Sequence, residues 1–208
     1  YKLVPEFLIR FMAWLLTKAA YRLRSEGVEH IPHEGAALLV CNHVSFVDAV
    51  ILMGAAPRPI RFVMDHRIFK VPLLSYIFRH SGAIPIASAK EDAAMMESAF
   101  SEVQKALAAG DLVALFPEGG ITQDGEMQAF RPGISRILSA SAVPVVPVAL
   151  SGLWGSYFSR VDGGAMKTPF RRGLFSSVSL RAGPALSPEL ATPEHLRDIV
   201  LALRGSKK

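Results

Sequence analysis

The sequence lacks the features that define several common protein classes. Its 208 residues contain one cysteine, Cys41, which excludes an internal disulfide and is compatible with a reducing compartment. The most apolar stretch, 11–16 (FMAWLL), falls far short of the ~18 to 20 residues that span a bilayer, so we expect no membrane-spanning segment in these residues. The chain also has no Gly-x-Ser-x-Gly nucleophile elbow, Walker loop or Gly-x-Gly-x-x-Gly fingerprint.

Acidic residues are scarce in the last quarter of the chain. Residues 1–150 contain 14 Lys or Arg and 14 Asp or Glu, whereas residues 151–208 contain 9 and 4, which accounts for the net charge of +5. Half of the residues are hydrophobic and the mean hydropathy is +0.30, so we predict a globular domain that works beside apolar material. A basic region can meet nucleic acid, anionic lipid headgroups or phosphorylated substrates. Since the sequence contains no nucleic-acid recognition module, we expect no nucleic acid partner.

Residues 3–24 are predicted to form one amphipathic helix. At about 100° per residue, a narrow stripe gathers polar or small side chains: Lys2, Glu6, Arg10, Ala13, Thr17 and Arg24. The opposite arc is broad and apolar: Phe7, Leu8, Phe11, Met12, Leu15, Leu16, Ala19 and Leu23, with Trp14 and Tyr21 towards its edges. Two interpretations stay open. The arc packs on the domain core, or it lies in the plane of a membrane interface beside the flanking arginines and lysine.

Strands and helices alternate in the rest of the chain. This alternation predicts an α/β fold with a mixed, largely parallel central sheet that helices cover on both faces. We predict two regions, the N-terminal helix in 1–27 and a single domain in 28–208. The predicted strands are 36–41, 60–64, 83–86, 112–116, 145–150 and 177–181. The predicted helices are 47–54, 72–79, 133–141, 193–203 and a long one that a Ser88/Glu91 capping box begins and Gly110 ends.

The first candidate site is the segment NHVSFVD, residues 42–48, which follows a predicted buried strand where open α/β sheets place their sites. If Asp48 stands in the first turn of the next helix, its carboxylate can accept a hydrogen bond from one ring nitrogen of His43. That contact fixes the tautomer and raises the basicity of the imidazole, as a general base requires. Asn42 and Ser45 would support the loop. The alternative is a surface histidine beside a helix-capping aspartate.

The second candidate site is FPEGGIT, residues 116–122, at the end of another predicted strand. Its glycines, Gly119 and Gly120, let backbone N–H groups point at a ligand oxygen. Glu118 would repel a phosphate but could bind glycerol-type hydroxyls or organise an arginine. Further on, FRPG (130–133) places Arg131 at a helix start, where a guanidinium can bind phosphate bidentately. The alternatives are an ordinary strand-to-turn segment and a solvated surface arginine.

The order of these segments is more specific than any one of them. NH-x4-D, FPEG, F(R/K)xG and then VPVVPV (143–148) resemble the glycerolipid acyltransferase family of the lysophosphatidate acyltransferase type, over most of residues 28–185. The match is closest to acyltransferase domains fused to transporter or acyl-carrier-protein ligase modules, including 2-acylglycerophosphoethanolamine acyltransferases. The resemblance implies that His43, paired with Asp48, deprotonates the acceptor hydroxyl without a covalent acyl-enzyme. The predicted substrate-binding residues are Asn42, Ser45, Glu118, Gly119, Gly120 and Arg131.

Two departures from the family pattern concern phosphate binding. Gly120 stands where the family commonly has threonine, and in a block near Gly82 Pro85 replaces a phenylalanine and Ser88 an arginine. An expected phosphate-binding arginine is therefore missing, and the acceptor can differ from lysophosphatidate. The candidates to replace it are Arg79, Lys90, Arg131 and the cluster Arg160, Lys167, Arg171 and Arg172.

The resemblance also implies the reaction and its partners. We expect an O-acyltransferase that moves a fatty acyl chain from acyl-coenzyme A or an acyl-carrier-protein thioester to a lysophospholipid hydroxyl, of the lysophosphatidate or lysophosphatidylethanolamine type. We expect no metal and no cofactor. The expected location is the cytoplasmic face of the inner membrane, peripherally or within a larger membrane-anchored protein, with transporter or ligase modules fused or associated. The alternatives are another lipid acceptor, such as an amino-acid-derived lipid, and a catalytically silent lipid-binding domain of a fusion protein.

Overall fold

A computed structural model describes residues 6–45, 47–70, 72–154 and 176–205. In these residues, seven strands form one sheet in the order β1-β7-β6-β2-β5-β3-β4, and every neighbouring pair is parallel except β6 and β7. The mixed, largely parallel sheet confirms the predicted fold class. The strands are β1 Tyr21–Glu26, β2 Ala37–Cys41, β3 Ile60–Asp65, β4 Ile84–Ile86, β5 Leu112–Leu115, β6 Val145–Ser151 and β7 Ser176–Ala182.

Helices cover both faces of the sheet. Strand β2 shows why, because its five residues are all buried and alternate between two apolar clusters, as expected for a strand without a solvent-exposed face. One cluster joins β2 to α1 Glu6–Ala20, α2 Asp48–Ala55 and α3 Pro72–His80, and the other joins it to α4 Ala89–Ala108, α5 Gly133–Ala140 and α6 Pro193–Arg204. Within the described residues, three short 3₁₀ helices occupy Val28–His30, His66–Lys70 and Pro188–Leu190.

The predicted N-terminal helix is too long. The helix α1 ends at Ala20, and the next six residues form β1, an edge strand that pairs in parallel with β7. The reason lies in the local pattern: Tyr21 and Leu23 are half-buried whereas Arg22 and Arg24 are exposed, and this alternation has the period of a strand. The prediction of helix through residue 24 is therefore wrong for its last four residues.

The helix α1 packs through the side that carries Ile9, Ala13 and Thr17, and it exposes large apolar side chains of the opposite face. Ala13 and Thr17 are buried, and the Cβ position of Gly54 in α2 lies 3.0 Å from Cα of Trp14, so the two helices approach closely. On this side, Nη2 of Arg10 also donates a 2.6 Å hydrogen bond to the carbonyl oxygen of Ala56. The exposed large side chains of α1 are Phe7, Leu8, Phe11, Met12, Trp14 and Leu15. The interpretation that this arc packs on the core is therefore wrong for these side chains.

No helix within the described ranges is both long enough and apolar enough to cross a membrane.

The start of α4 differs from the predicted capping box. Ser88 precedes the helix, but its side chain makes no capping hydrogen bond. Asp92 instead has an extended backbone (φ −155°, ψ 94°) inside this segment, and its Oδ1 accepts a 2.9 Å hydrogen bond from the backbone N–H of Met95. That contact is the usual N-cap geometry. The prediction of Ser88 as the capping residue is wrong, since Asp92 caps the main body of the helix.

Candidate functional site

The candidate site lies where the carboxyl ends of the neighbouring strands β2 and β5 meet. The segment 42–48 follows β2, and the segment 116–122 follows β5. The two segments are joined directly, because the backbone N–H of Thr122 donates a 3.1 Å hydrogen bond to the carbonyl oxygen of His43. The parallel sheet therefore brings both predicted constellations to one place.

His43 and Asp48 form the predicted pair. Nδ1 of His43 lies 2.9 Å from Oδ2 of Asp48, which is fully buried in the first turn of α2. The same Oδ2 accepts the backbone N–H groups of Val44 at 2.7 Å and Ser45 at 3.0 Å. A carboxylate held by two backbone donors cannot swing away, so it fixes the ring and places the proton on Nδ1. Nε2 is thereby left as the acceptor, and His43 lines the main cavity.

The His43 ring is also fixed from its face. The ring of Phe116 stacks on it, with 4.3 Å between ring centroids and 24° between planes. Phe116 is the first residue of the second motif, and it stacks in turn on Phe62 of β3 at 6.3 Å. Two neighbouring strands therefore contribute to the orientation of one imidazole.

Glu118 links the two motifs through backbone hydrogen bonds. Its Oε1 accepts the N–H of His43 at 2.7 Å and its Oε2 accepts the N–H of Gln128 at 2.7 Å. The side chain is buried, and this burial raises the pKa of the Glu118 carboxyl above its usual value, although the two backbone donors act in the opposite direction. Both carboxylate oxygens of Glu118 thus contact protein groups.

Asn42 and Ser45 make similar internal contacts. The side-chain amide of Asn42 donates to the carbonyl oxygen of Leu150 at 2.9 Å and accepts its N–H at 2.8 Å, which ties the loop to β6. Oγ of Ser45 accepts the N–H of Val47 at 3.3 Å. Neither residue, nor Glu118, lines the main cavity. Their substrate-binding role stays a prediction, and the contacts seen here support the loops.

Arg131 lies against the glycine turn. Gly119 has a φ of +74°, and a Cβ at this position would overlap the guanidinium of Arg131, so only glycine permits this approach. The backbone N–H of Arg131 donates to the carbonyl oxygen of Pro117 at 2.9 Å. Across the described ranges its guanidinium has no hydrogen-bond or ion-pair partner. Gly119, Gly120 and Arg131 line the same cavity as His43.

The main cavity has a volume of about 680 Å³ and is largely apolar. It runs between the sheet and the helices α4 and α5, and its apolar wall includes Val63, Met96, Phe100, Val103, Leu115, Ile134 and Ile137. Ligand pockets fall in this size range and combine apolar walls with a few polar groups. The arrangement can hold a long apolar group with its polar end at His43.

The position of the missing arginine is part of this cavity. Ser88 lines it, together with Asp65, Arg67 and Glu91. No sequence motif marks Arg67, whose Nε and Nη2 lie 2.8 and 2.6 Å from the Asp65 carboxylate and hold the pKa of that carboxyl below its usual value. Of the proposed replacements that lie within the described ranges, only Arg131 lines the main cavity. Residues 160, 167, 171 and 172 lie outside the described residues.

The C-terminal helix supports the site in a way that the sequence analysis missed. Arg204, which is buried, donates to the carbonyl oxygen of Gly125 at 3.0 Å. Two helical turns earlier, Arg197 donates to the carbonyl oxygens of Met127 and Gln128 at 3.0 and 3.1 Å. Because Gln128 also bonds to Glu118, part of the basic C-terminal charge holds the second loop. No local motif marks these two arginines.

In the described part of the chain, no group of three or more His, Cys, Asp or Glu side chains is placed to hold a metal ion.

Comparison with known proteins identifies the family. Residues 22–151 match the sequence model of the family described as Acyltransferase, and because this range covers more than half of the chain, the protein belongs to that family. The resemblance to the glycerolipid acyltransferases is thus confirmed. The solved structure of the 1-acyl-sn-glycerophosphate (LPA) acyltransferase PlsC of Thermotoga maritima superimposes with a TM-score of 0.69 at 21% identity, covering 94% of this chain and 74% of that one. That likeness confirms the fold.

Two curated relatives come from plants. The chain is 26% identical over 147 residues to the chloroplastic 1-acyl-sn-glycerol-3-phosphate acyltransferase LPAT1 of Arabidopsis thaliana, which covers 70% of this chain and 40% of that protein. It is also 26% identical over 147 residues to the chloroplastic 1-acyl-sn-glycerol-3-phosphate acyltransferase BAT2 of Brassica napus, with 70% and 42% covered. The chain thus spans less than half the length of these relatives.

Proposed function

We propose that this chain is an O-acyltransferase that moves a fatty acyl chain from a thioester donor to the free hydroxyl of a lysophospholipid. The observation that carries the proposal is the His43–Asp48 pair, 2.9 Å apart, with His43 lining an apolar cavity of about 680 Å³. The family match and the names of the plant relatives support the reaction class. Acceptor headgroup and donor type go beyond that support and are proposals here.

The chemistry follows from the imidazole orientation. Nε2 of His43 accepts the proton of the acceptor hydroxyl while the hydroxyl oxygen bonds to the thioester carbonyl carbon. The tetrahedral intermediate then expels the sulfur: the C–S bond breaks, and the imidazolium returns its proton to the thiolate. The products are an ester and a free thiol. This balance requires no oxidant or reductant, and a base together with donors to the developing oxyanion suffices.

The two substrates occupy different parts of the site. The apolar wall between α4 and α5 would take the acyl chain, since burial of methylene groups stabilises binding by about 0.8 kcal/mol each. Arg131, with the Gly119 and Gly120 backbone, would bind the acceptor phosphate, because a guanidinium without an acidic partner pairs well with a phosphate. With this assignment, Arg131 takes the place of the family arginine at whose position this chain has Ser88.

The same proposal includes a membrane location, at the cytoplasmic face of the inner membrane. Six large apolar side chains of α1 are exposed: Phe7, Leu8, Phe11, Met12, Trp14 and Leu15. The adjoining edge strand exposes Arg22 and Arg24, and cations beside an apolar face suit an anionic bilayer surface. Docking through α1 would let a lysophospholipid and a fatty acyl chain reach His43 without crossing water.

Thiol release, measured with and without lysophospholipid, tests this function. The acceptors are lysophosphatidate, lysophosphatidylethanolamine and an amino-acid-derived lipid with a free hydroxyl, each offered with acyl-coenzyme A and with an acyl-carrier-protein thioester. We expect acceptor-dependent release that His43→Ala lowers by about 10² to 10⁴-fold, with thermal unfolding near wild type. Release with the amino-acid-derived lipid alone identifies the alternative acceptor. Lipid binding without any release in the wild type identifies a silent lipid-binding domain and overturns the proposal.

A further inference from the structure

A second cavity lies at the β4 edge of the sheet, outside the site described above. It has a volume of about 560 Å³. Its basic side chains are His66, Lys70 and Arg79, and its apolar contacts include Phe69 and Pro85. No acidic residue lines it within the described ranges. The cavity therefore combines positive charge with an aromatic and a proline surface.

Two of these cations lack an acidic partner. The Arg79 guanidinium lies 5.4 Å from the centre of the Phe69 ring, and its Nε donates to the neutral hydroxyl of Ser75 at 2.9 Å. Lys70 is exposed, and its ammonium group has no hydrogen-bond or ion-pair partner in the part of the chain that the structure describes. By contrast, Lys105 is 2.8 Å from Glu102, and Arg136 bonds Glu97 with both terminal nitrogens. The second cavity thus presents positive charge that the protein does not neutralise.

Residues that are adjacent in sequence line the two cavities. Three pairs of consecutive residues are divided between them, with the first of each pair in the second cavity: His66 and Arg67, Pro85 and Ile86, Met95 and Met96. His66 also approaches the main cavity, because its Nε2 lies 3.5 Å from Oε1 of Glu91. A long molecule that passes around the β4 edge would contact both cavities.

The separation from His43 is set by the sheet. His43 follows β2, and β4 is three strands away in the order β2-β5-β3-β4. With neighbouring strands about 4.8 Å apart, the two ends of the site are about 14 Å apart. An acyl thioester donor carries its phosphate at the far end of a long pantetheine arm, so a phosphate site at this edge would leave the thioester carbon near His43.

We propose that the second cavity binds the phosphate end of the pantetheine arm of the thioester donor, through Lys70 and Arg79. This inference rests on the proposed acyl transfer. The phosphate is common to coenzyme A, which adds a 3′-phosphoadenosine and a second bridging phosphate, and to the prosthetic group of an acyl carrier protein. The donor phosphate and the acceptor phosphate then have separate sites, the first at Lys70 and Arg79 and the second at Arg131.

The test compares two double variants that remove the same charges. Lys70→Ala/Arg79→Ala empties the cavity of its two unpartnered cations. Lys105→Ala/Arg181→Ala is the matched control, since it removes one lysine and one arginine that line neither cavity. Both pairs are on the surface, so we expect melting temperatures within a few degrees of wild type. The donors are acyl-coenzyme A, an acyl-carrier-protein thioester and acyl-pantetheine, which has no phosphate.

Charge-assisted contacts to a phosphate predict a clear pattern. Lys70→Ala/Arg79→Ala should raise the KM for a phosphate-bearing donor by about 10- to 100-fold and leave the KM values for acyl-pantetheine and for the acceptor unchanged. A rise with acyl-coenzyme A alone, with the carrier-protein donor alone or with both identifies the source of the phosphate and supports the proposal. Equal KM values in the variant and the control, or an equal rise with acyl-pantetheine, overturn it. Loss of binding to anionic vesicles with unchanged donor KM values also overturns it, since the cations would then serve the membrane.

Direct binding separates this proposal from the proposed function. Calorimetry with coenzyme A and with pantetheine requires no turnover. If the wild type releases no thiol with any donor but binds coenzyme A in a way that Lys70→Ala/Arg79→Ala abolishes and the control retains, the acyl transfer is wrong and the phosphate site stands. If the wild type turns over but the variant keeps both its donor KM and its coenzyme A affinity, the phosphate site is wrong and the acyl transfer stands.

Discussion

The carboxylate of Glu118 accepts the backbone N–H of His43 at 2.7 Å, so the loop after β5 holds the residue that the loop after β2 presents to the cavity. Its second oxygen binds the N–H of Gln128, whose carbonyl oxygen is held by Arg197 of α6. A chain of hydrogen bonds therefore runs from the C-terminal helix to the backbone of His43. This arrangement predicts a positioning role for Glu118, whose side chain does not line the main cavity.

Glu118→Gln should affect the position of His43, and therefore kcat, more than it affects the KM for the acceptor. The amide can replace only one of the two acceptor oxygens and turns an N–H₂ group towards a backbone donor, which costs about 1–3 kcal/mol for a buried group. We expect kcat to fall by at least about tenfold and the melting temperature to fall, with the acceptor KM near wild type. Steady-state kinetics and thermal unfolding measure these effects. A large rise in acceptor KM at unchanged kcat would instead assign Glu118 to substrate binding.

The same residue predicts a pH effect on stability. Burial raises the pKa of the Glu118 carboxyl, so the folded chain holds this proton more tightly than the unfolded chain. Linkage then makes its contribution to the free energy of unfolding fall as pH rises from the usual carboxyl pKa to the raised one. Over that interval the wild type should lose stability relative to Glu118→Gln, which does not titrate. Urea unfolding of both proteins between about pH 4 and 7 checks this, and parallel curves would contradict it.

Asp48→Asn should impair acyl transfer, and its effect should not add to that of His43→Ala. Oδ2 of Asp48 accepts from the ring and from two backbone N–H groups, so an amide at this site disturbs both the tautomer and the loop. We expect the double variant with His43→Ala to be no slower than His43→Ala alone, because the two residues act as a unit. Initial rates of the four proteins give the comparison. Multiplicative losses would show that Asp48 acts apart from His43.

Arg131→Ala tests the acceptor site. A charge-assisted bidentate contact is worth about 2 to 3 kcal/mol, so the acceptor KM should rise by roughly 30- to 150-fold while the donor KM stays near wild type. Arg136→Ala provides the control, since Arg136 lies three residues into α5 and is exposed. If the donor KM rises and the acceptor KM does not, Arg131 binds the donor phosphate, and the two phosphate sites are interchanged.

Much of the fold could be predicted because each central strand is a short apolar run between turn residues. The strand Tyr21–Glu26 could not be predicted. It follows α1 without an intervening glycine or proline, and its apolar residues also fit the 3.6-residue pattern of that helix. Its partner strand, β7, lies near the far end of the chain. The orientation of α1 is similar. The small residues Ala13 and Gly54 permit close packing, and hydrophobicity alone assigns the core to the wrong side.

The site shows the same division between local and distant information. Spacing predicted the His43–Asp48 contact, because the strand end and the next helical turn fix it locally. The support from Phe116, Arg197 and Arg204 could not be predicted, since those residues come from elements that only the sheet brings together. The Ser88 capping box failed because two positions could cap α4, and the backbone selected Asp92.

Capping of α4 provides a simple stability test. Asp92→Ala should lower the free energy of unfolding by about 0.5–2 kcal/mol, because it removes the acceptor for the N–H of Met95. Ser88→Ala should leave it nearly unchanged, since the Ser88 hydroxyl makes no capping bond. Urea unfolding of the two variants measures the difference. Equal losses, or a larger loss for Ser88→Ala, would restore the predicted capping box.

The final prediction concerns membrane docking through the exposed apolar side chains of α1. Phe11 and Leu15 are 53% and 43% exposed, so Phe11→Ser/Leu15→Ser removes little from the folded core, and the melting temperature should stay within a few degrees of wild type. The pair should abolish co-sedimentation with anionic vesicles, because each inserted side chain contributes about 1.5–3 kcal/mol. Ile9→Ser, on the buried side of the same helix, is the control: it should lower stability by about 2–5 kcal/mol and, below its melting temperature, still sediment. A Phe11/Leu15 variant that sediments like wild type would show that α1 does not dock the protein on the bilayer.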